Sequence, residues 1–285
     1  MTRLRAAVLT LLAMLAFAGN SVLCRFALKY TATDPASFTA IRIASGAVVL
    51  WLVVRLHVGR AKSLGSWPSG LALFVYAAAF SFAYVSLTAA TGALLLFGAV
   101  QCVMIGHGLW RGERLRASQK AGLLLALGGL VGLLMPGLSA PPLRGALLML
   151  AAGAAWGVYS VRGKGGGDPL RVTAGNFQRA LAFTAVLSFS MLNRMSLDGM
   201  GIVYAVASGA LASGIGYAIW YSALPGLKVT SAATVQLSVP VIAAVGGVAL
   251  LGEPLTLRMV LAAAAVLAGI ALVIVQRQRA QSAAS

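Results

Sequence analysis

Residues 230 to 256 read TSAATVQLSVPVIAAVGGVALLGEPLT, an apolar run stopped by Gly252-Glu253-Pro254, the glycine, charge and proline that end membrane helices. The run has a counterpart. Residues 223 to 274, beginning ALPGLKVTSAATVQLSVPVIAAVGGVALLGEPL, match residues 83 to 134, beginning AYVSLTAATGALLLFGAVQCVMIGHGLWRGERL, at an offset of 140 that sets Gly112-Glu113 on Gly252-Glu253. Asp34-Pro35 and Asp168-Pro169 repeat likewise at an offset of 134. The chain is therefore read as two halves of one design, residues 1 to 140 and 141 to 285.

Working outward, 60% of the 285 residues are hydrophobic and 9% are charged, with a mean hydropathy of +0.92. A soluble domain carries roughly 25% charge to wet its surface, so the outer surface of this chain faces lipid. A span takes about 20 apolar residues, and breaks in hydropathy divide the chain into ten: about 6 to 28, 35 to 56, 68 to 88, 91 to 110, 118 to 136, 143 to 162, 169 to 192, 200 to 222, 229 to 251 and 255 to 275. The first follows Arg3 and Arg5 as in a signal peptide, but it runs past 20 residues without a small-residue cleavage site and reads as helix 1. Five helices per half is an odd number, so the second half enters the membrane upside down. The fold expected is an all-α polytopic membrane protein with ten transmembrane helices in a 5+5 inverted repeat, and its substrate site lies near the midplane between the halves.

The net charge of +17 comes from 22 Lys+Arg against 5 Asp+Glu, and basic residues beside membrane helices orient them; this reading displaces nucleic-acid binding. With the N terminus inside, the inner loops hold Arg3, Arg5, Arg55, Arg60, Lys62, Arg111, Arg114, Arg116, Lys120, Arg162, Lys164, Arg171, Lys228, Arg277 and Arg279, fifteen in all. The outer loops hold four: Lys29, Arg144, Arg194 and Arg258. Both termini are thus expected in the cytoplasm.

These residues resemble a known family. The segment from Thr230 to Thr256, Gly19-Asn20 in helix 1 and Trp156 with Tyr159 in helix 6 are similar to the EamA-type transporters of the drug/metabolite transporter superfamily. The likeness covers essentially the whole chain. It implies ten helices in a 5+5 inverted repeat and export of small metabolites, and it extends to exporters of amino acids, aromatic ones among them. The first half departs from the pattern, with Val100 where the second has Pro240 and Ala18 where a tryptophan often precedes the glycine.

All five acids, Asp34, Glu113, Asp168, Asp198 and Glu253, fall in loops or at helix ends. A proton-coupled exporter of cations usually places a carboxylate at membrane depth, so cation-drug antiport is disfavoured. No metalloprotease, acid-pair or Ser/His/Asp pattern marks an enzyme, and no cofactor or metal motif is present. Cys24 and Cys102 read as packing residues, His57 as an interface residue and His107 as a packing histidine. The Gly163 to Gly167 stretch with Lys164 lacks the Lys-Ser/Thr of a phosphate loop and reads as a link between the halves.

The candidate substrate contacts are polar and aromatic residues within helices. Tyr76, Phe80 and Tyr84 recur every four residues on one face of helix 3; Tyr217, Trp220 and Tyr221 share a face of helix 8, and Trp156 and Tyr159 one of helix 6. Tyr84 and Tyr221, nearer the helix ends, suit the interfacial belt. The deeper rings suit either packing or a cavity wall. Asn20 and Gln236 are the polar groups expected to point inward, Asn20 either bridging helices or lining the cavity. Arg42 and Arg179 are pseudo-equivalent and deep; each either bonds helix-end carbonyls or attracts an anionic or carboxylate-bearing solute. Arg25 reads as a snorkelling residue. Gly128-Gly129-x-x-Gly132 against the AAAAVLAG run of helix 10 suggests a close helix contact, within the chain or in a weak homodimer.

The function expected is export of small, partly apolar metabolites, above all amino acids with aromatic or hydrophobic side chains, across the inner membrane by alternating access. The alternatives are an exporter of organic anions or nucleotide-linked sugars and, from another class, a lipid carrier or lipid-modifying enzyme.

Overall fold

The computed structural model describes residues 3–58, 64–112, 115–137, 140–163, 167–227 and 235–282, with side chains between residues 4 and 275 of these. Glu113, the opening of the segment quoted above and the centre of the glycine-rich link lie outside the described residues. The described chain is helical throughout: α1 (Arg3–Tyr30), α2 (Pro35–Val58), α3 (Trp67–Tyr84), α4 (Ala89–Trp110), α5 (Ala117–Leu134), α6 (Leu143–Arg162), α7 (Pro169–Ser190), α8 (Gly199–Gly226), α9 (Ser238–Leu251) and α10 (Leu257–Ser282). Eight of these are long and apolar enough to cross a membrane. The other two are α9, which is short, and α7, whose Arg171, Asn176, Gln178 and Arg179 lower its hydropathy. The protein is a polytopic helical membrane protein, and helices suit that setting because each satisfies its own backbone where no water can.

The helix ends follow from local chemistry. Asp34 caps α2 through the amides of Ala36 and Ser37, and Asp168 caps α7 through Leu170. Each is followed by a proline whose missing N–H costs nothing at a first helical turn. Asp198 caps α8 through Met200 and Gly201. Gly252 (φ 61°) ends α9 in the left-handed conformation, and its repeat equivalent Gly112 (φ 86°) follows α4; both positions favour glycine. Within α8, residues Ala207–Ile215 form a π-helical stretch, a wide turn often found at functional sites.

The helix contacts come in pairs when each helix of the first half is exchanged with the one five places on. α3 packs on α6 as α8 packs on α1, α4 on α6 as α9 on α1, and α3 on α7 as α8 on α2. α2 against α7, α4 against α9 and α5 against α10 map onto themselves. α5 and α10 run antiparallel with backbones in close approach: a Cβ on Gly122 would meet the Gly269 carbonyl at 2.6 Å, and one on Gly129 the Ala265 Cβ at 2.9 Å.

One expectation holds with a change of residues, and two are corrected. The close contact expected between the glycine motif of helix 5 and the AAAAVLAG run of helix 10 is present within the chain, through Gly129 against Ala262, Ala265 and Val266 and through Gly122 against Gly269, whereas Gly128 and Gly132 have nothing within 4 Å. Arg25 does not snorkel. Its Nε pairs with Glu253 Oε1 at 2.8 Å, and its Nη1 donates to the Tyr84 and Val85 carbonyls. Neither Tyr84 nor Tyr221 belongs to an interfacial belt, for Tyr84 is fully buried with its hydroxyl donating to the Ala89 carbonyl and Tyr221 bonds Thr173 inside the bundle.

Candidate transport cavity

A cavity of about 370 Å³ lies between α1, α3, α4, α6, α7, α8 and the start of α9. It falls within the roughly 300 to 1,000 Å³ usual for small-molecule sites. Its lining starts at the middle of the bundle, with Asn20, Tyr76 and Ser213, and reaches Gly163, Pro169 and Leu224 at the end where α6 stops and α7 begins.

The walls are aromatic. Trp156 is the hub: it packs on Tyr76 (centroids 4.8 Å apart), stacks on Tyr159 (5.1 Å) and stacks on Tyr217 (5.6 Å). Tyr76 continues to Phe80 at 5.5 Å, and Phe17 of α1 touches both Tyr217 and Trp220. Rings at these separations hold one another in place and leave flat apolar surface facing the cavity. Rings from α1 and α3 meet rings from α6 and α8, so both halves of the chain contribute.

The polar groups form two seams. In the deeper one, Tyr76 Oη accepts from Arg42 Nη2 at 2.9 Å and from Asn20 Nδ2 at 3.3 Å, while Asn20 Oδ1 accepts from Ser208 Oγ at 2.6 Å. The π-helical stretch of α8 brings Ser208 to this point. Nearer the mouth, Tyr159 Oη donates to Thr173 Oγ1 and accepts from Asn176 Nδ2, and Thr173 Oγ1 shares a 3.0 Å bond with Tyr221 Oη. Asn176 Oδ1 accepts from the Ser66 amide, fastening α7 to the start of α3.

Asn20, Tyr76, Phe80, Trp156, Tyr159, Tyr217, Trp220 and Gln236, the residues singled out by spacing and depth, all line this one cavity. Arg42 and Arg179 part company. Arg42 is 2% exposed beneath Tyr76 and Phe80, with its Cζ 4.8 Å from the Phe80 centroid. Arg179 Nη1 bonds the carbonyls of Leu64 and Gly175, and Arg179 is not part of the lining. Phe17, Thr173, Asn176 and Tyr221 also line the cavity and were not proposed from sequence; the polar composition of α7 was the available signal. No cluster of three His, Cys, Asp or Glu residues able to hold a metal occurs among the described residues.

The opposite end of the bundle is tied shut. Glu253 is 4% exposed and bridges Arg25 on α1 and the Ala89 amide that opens α4, while Tyr30 Oη donates to the Leu251 carbonyl. Beside it Asp34 exchanges hydrogen bonds with the Ser196 backbone, and the Asp198 amide donates to Thr33. Burial acts to raise the Asp34 pKa, but the bonds it accepts from Ser37, Ser196 and Ala36 outweigh that and hold it below the ordinary 3.8.

Comparison with known proteins follows the same lines. A model of the EamA-like transporter family matches residues 143–275. The chain is 61% identical over 276 residues to the Pseudomonas aeruginosa protein PA1977, covering 96% of each. It is 36% identical over 154 residues to the threonine/homoserine exporter RhtA of Salmonella typhimurium, covering 51% of each chain. Its identity to the Escherichia coli K12 exporter of the same name is 33% over 132 residues, 44% of this chain and 43% of that one, so the match spans about half of each exporter or less. One crystal structure superposes with a TM-score of 0.65 over 98% of this chain and 100% of its own, at 22% identity, a likeness of fold.

Proposed function

The chain belongs to the EamA-type transporters of the drug/metabolite transporter superfamily, and from that premise we propose that it exports amino acids with aromatic or other hydrophobic side chains across the inner membrane. The observation that carries this reading is the cavity itself, a flat-walled aromatic space with a few fixed polar groups between the two halves. Apolar rings suit the side chain of such a solute, and Asn20, Gln236 and the tyrosine hydroxyls suit its polar ends. The relatives named threonine/homoserine exporters favour the amino-acid class; the aromatic lining favours larger side chains within it.

The mechanism is alternating access, with the two five-helix repeats rocking about the cavity. The fifteen-to-four basic bias supports a cytoplasmic side for both termini, and with them for the open end of the cavity. The conformation described is then the one that loads solute from inside. Arg25–Glu253, Tyr30–Leu251 and Asp34–Ser196 are the contacts that must part for release. No carboxylate lines the cavity among the described residues, which favours facilitated efflux or exchange over proton antiport.

One observation favours a second reading. Arg42 is a buried cation without an acidic partner among the described residues, as an exporter of organic anions or nucleotide-linked sugars would need. Arg179, the other guanidinium that reading requires, is spent on two carbonyls. Flux of labelled phenylalanine, threonine and an organic anion across sealed proteoliposomes separates the readings. Movement of the amino acids supports the first, and movement of the anion alone supports the second. If neither moves while labelled lipid exchanges between leaflets, a lipid carrier takes their place.

A further inference from the structure

The deeper polar seam has a peculiarity of direction. Tyr76 Oη accepts two hydrogen bonds, from Arg42 Nη2 and Asn20 Nδ2, which occupies both its lone pairs, and its O–H has no acceptor among the described residues. Asn20 Nδ2 carries a second N–H, and its Oδ1 is already taken by Ser208 Oγ. Two spare donors therefore belong to two adjacent residues that both line the cavity. Behind them Arg42, 2% exposed, makes that single hydrogen bond, and its Nε and Nη1 have no partner. A guanidinium stays charged in proteins, and an isolated buried charge is costly unless something of opposite sign comes near.

We propose that the Tyr76 hydroxyl and the free amide N–H of Asn20, backed by the Arg42 guanidinium, form a cradle for the carboxylate of the transported solute. This rests on the exporter reading above and specifies which end of the solute goes where. Tyr76 and Asn20 touch the carboxylate. Arg42 is a positioning residue: its own nitrogens are covered by the rings of Tyr76 and Phe80, and it acts by fixing the Tyr76 oxygen and by its field. With the carboxylate at the Tyr76 edge, the side chain extends along Trp156 and Tyr217.

The test uses the full chain in proteoliposomes, with influx of labelled phenylalanine competed by unlabelled 3-phenylpropionate, which keeps only the carboxylate, and by phenylalaninamide, which has lost it. In the wild type 3-phenylpropionate should compete at least about tenfold better than the amide, the scale of a hydrogen bond to a charged group. Tyr76→Phe should bring the two competitors within about twofold of each other while raising KM for phenylalanine. Arg42→Lys should retain part of the preference and Arg42→Gln none. Trp156→Leu should weaken both competitors alike. Should Arg42→Gln fail to fold, Tyr76→Phe decides, since it removes one oxygen and keeps the ring. An undiminished acid-over-amide preference in Tyr76→Phe, or equal competition in the wild type, overturns the cradle alone. A wild type that moves neither phenylalanine nor threonine overturns the exporter reading and the cradle with it.

Discussion

Arg25 Nε lies 2.8 Å from Glu253 Oε1 although 228 residues separate them, and the pair joins α1 to the link between α9 and α10 at the end of the bundle opposite the cavity mouth. Glu253 also accepts from the Ala89 amide, so one carboxylate holds three elements drawn from both halves of the chain. In the alternating-access mechanism proposed above, this ion pair closes one end of the pathway and breaks each time that end opens.

Glu253→Gln should therefore shift the protein toward the state open at this end. Removing one partner of a buried pair costs roughly 3 to 5 kcal/mol, and the retained Arg25 bonds to Tyr84 and Val85 put the expected loss at the lower end. A single cysteine at Ser21, with Cys24 and Cys102 replaced, reports the change: a membrane-impermeant thiol reagent added outside should label it faster in Glu253→Gln than in the parent. Equal labelling in the two would remove the pair from the gating scheme.

Asp34 predicts an acid-side weakness of the same end. Its pKa lies below the ordinary 3.8 in the folded protein, so its contribution to stability is fully present above that ordinary value and is lost as pH falls through the folded one. Melting curves taken at successively lower pH should show the wild type losing stability more steeply than Asp34→Asn. Parallel curves would mean that the bonds from Ala36, Ser37 and Ser196 contribute little.

The α5–α10 contact separates two glycines about one and two-thirds turns apart. Gly122→Ala drives a methyl into the Gly269 carbonyl, whereas Gly128→Ala meets nothing within 4 Å. Overpacking costs about 1 to 3 kcal/mol, so Gly122→Ala should melt lower in detergent and Gly128→Ala should match the parent. The reverse order would place the helix face wrongly.

What could be read from sequence tracks how local each signal is. Ring spacing in α3, α6 and α8 and the depth of Asn20 and Gln236 sufficed to pick eight residues that line one cavity, because a helical face follows from spacing alone. Partners across helices were not legible. Nothing near Arg25 points to Glu253, and Ser208 and Thr173 look like hydroxyls that bond their own helix, the usual habit of buried serine and threonine. Arg42 and Arg179, read from sequence as pseudo-equivalent, differ because Leu64 offers Arg179 a carbonyl while Arg42 finds a tyrosine. The glycine motif of α5 was legible as a small face meeting α10, but spacing did not say that Gly129, rather than Gly128 or Gly132, makes the contact.

The aromatic walls and the polar seam should also fail differently. Trp156→Ala removes the ring that touches Tyr76, Tyr159 and Tyr217. Stacking is worth roughly 0.5 to 1.5 kcal/mol per pair, so affinity for phenylalanine should fall several-fold or more and that for threonine far less. Asn20→Ala should weaken both together, at about 1 to 3 kcal/mol for the unpaired group left behind. KM values for the two amino acids in each variant check this, and matching losses for both solutes in Trp156→Ala would take the side chain off that wall.

The most direct measurement is efflux of labelled phenylalanine from preloaded proteoliposomes holding wild-type protein, Trp156→Ala or no protein. The account predicts saturable efflux with the wild type, much weaker efflux at low phenylalanine with Trp156→Ala at equal protein content, and only leak from empty vesicles. Wild-type efflux indistinguishable from leak, or saturable efflux untouched by loss of Trp156, would contradict it.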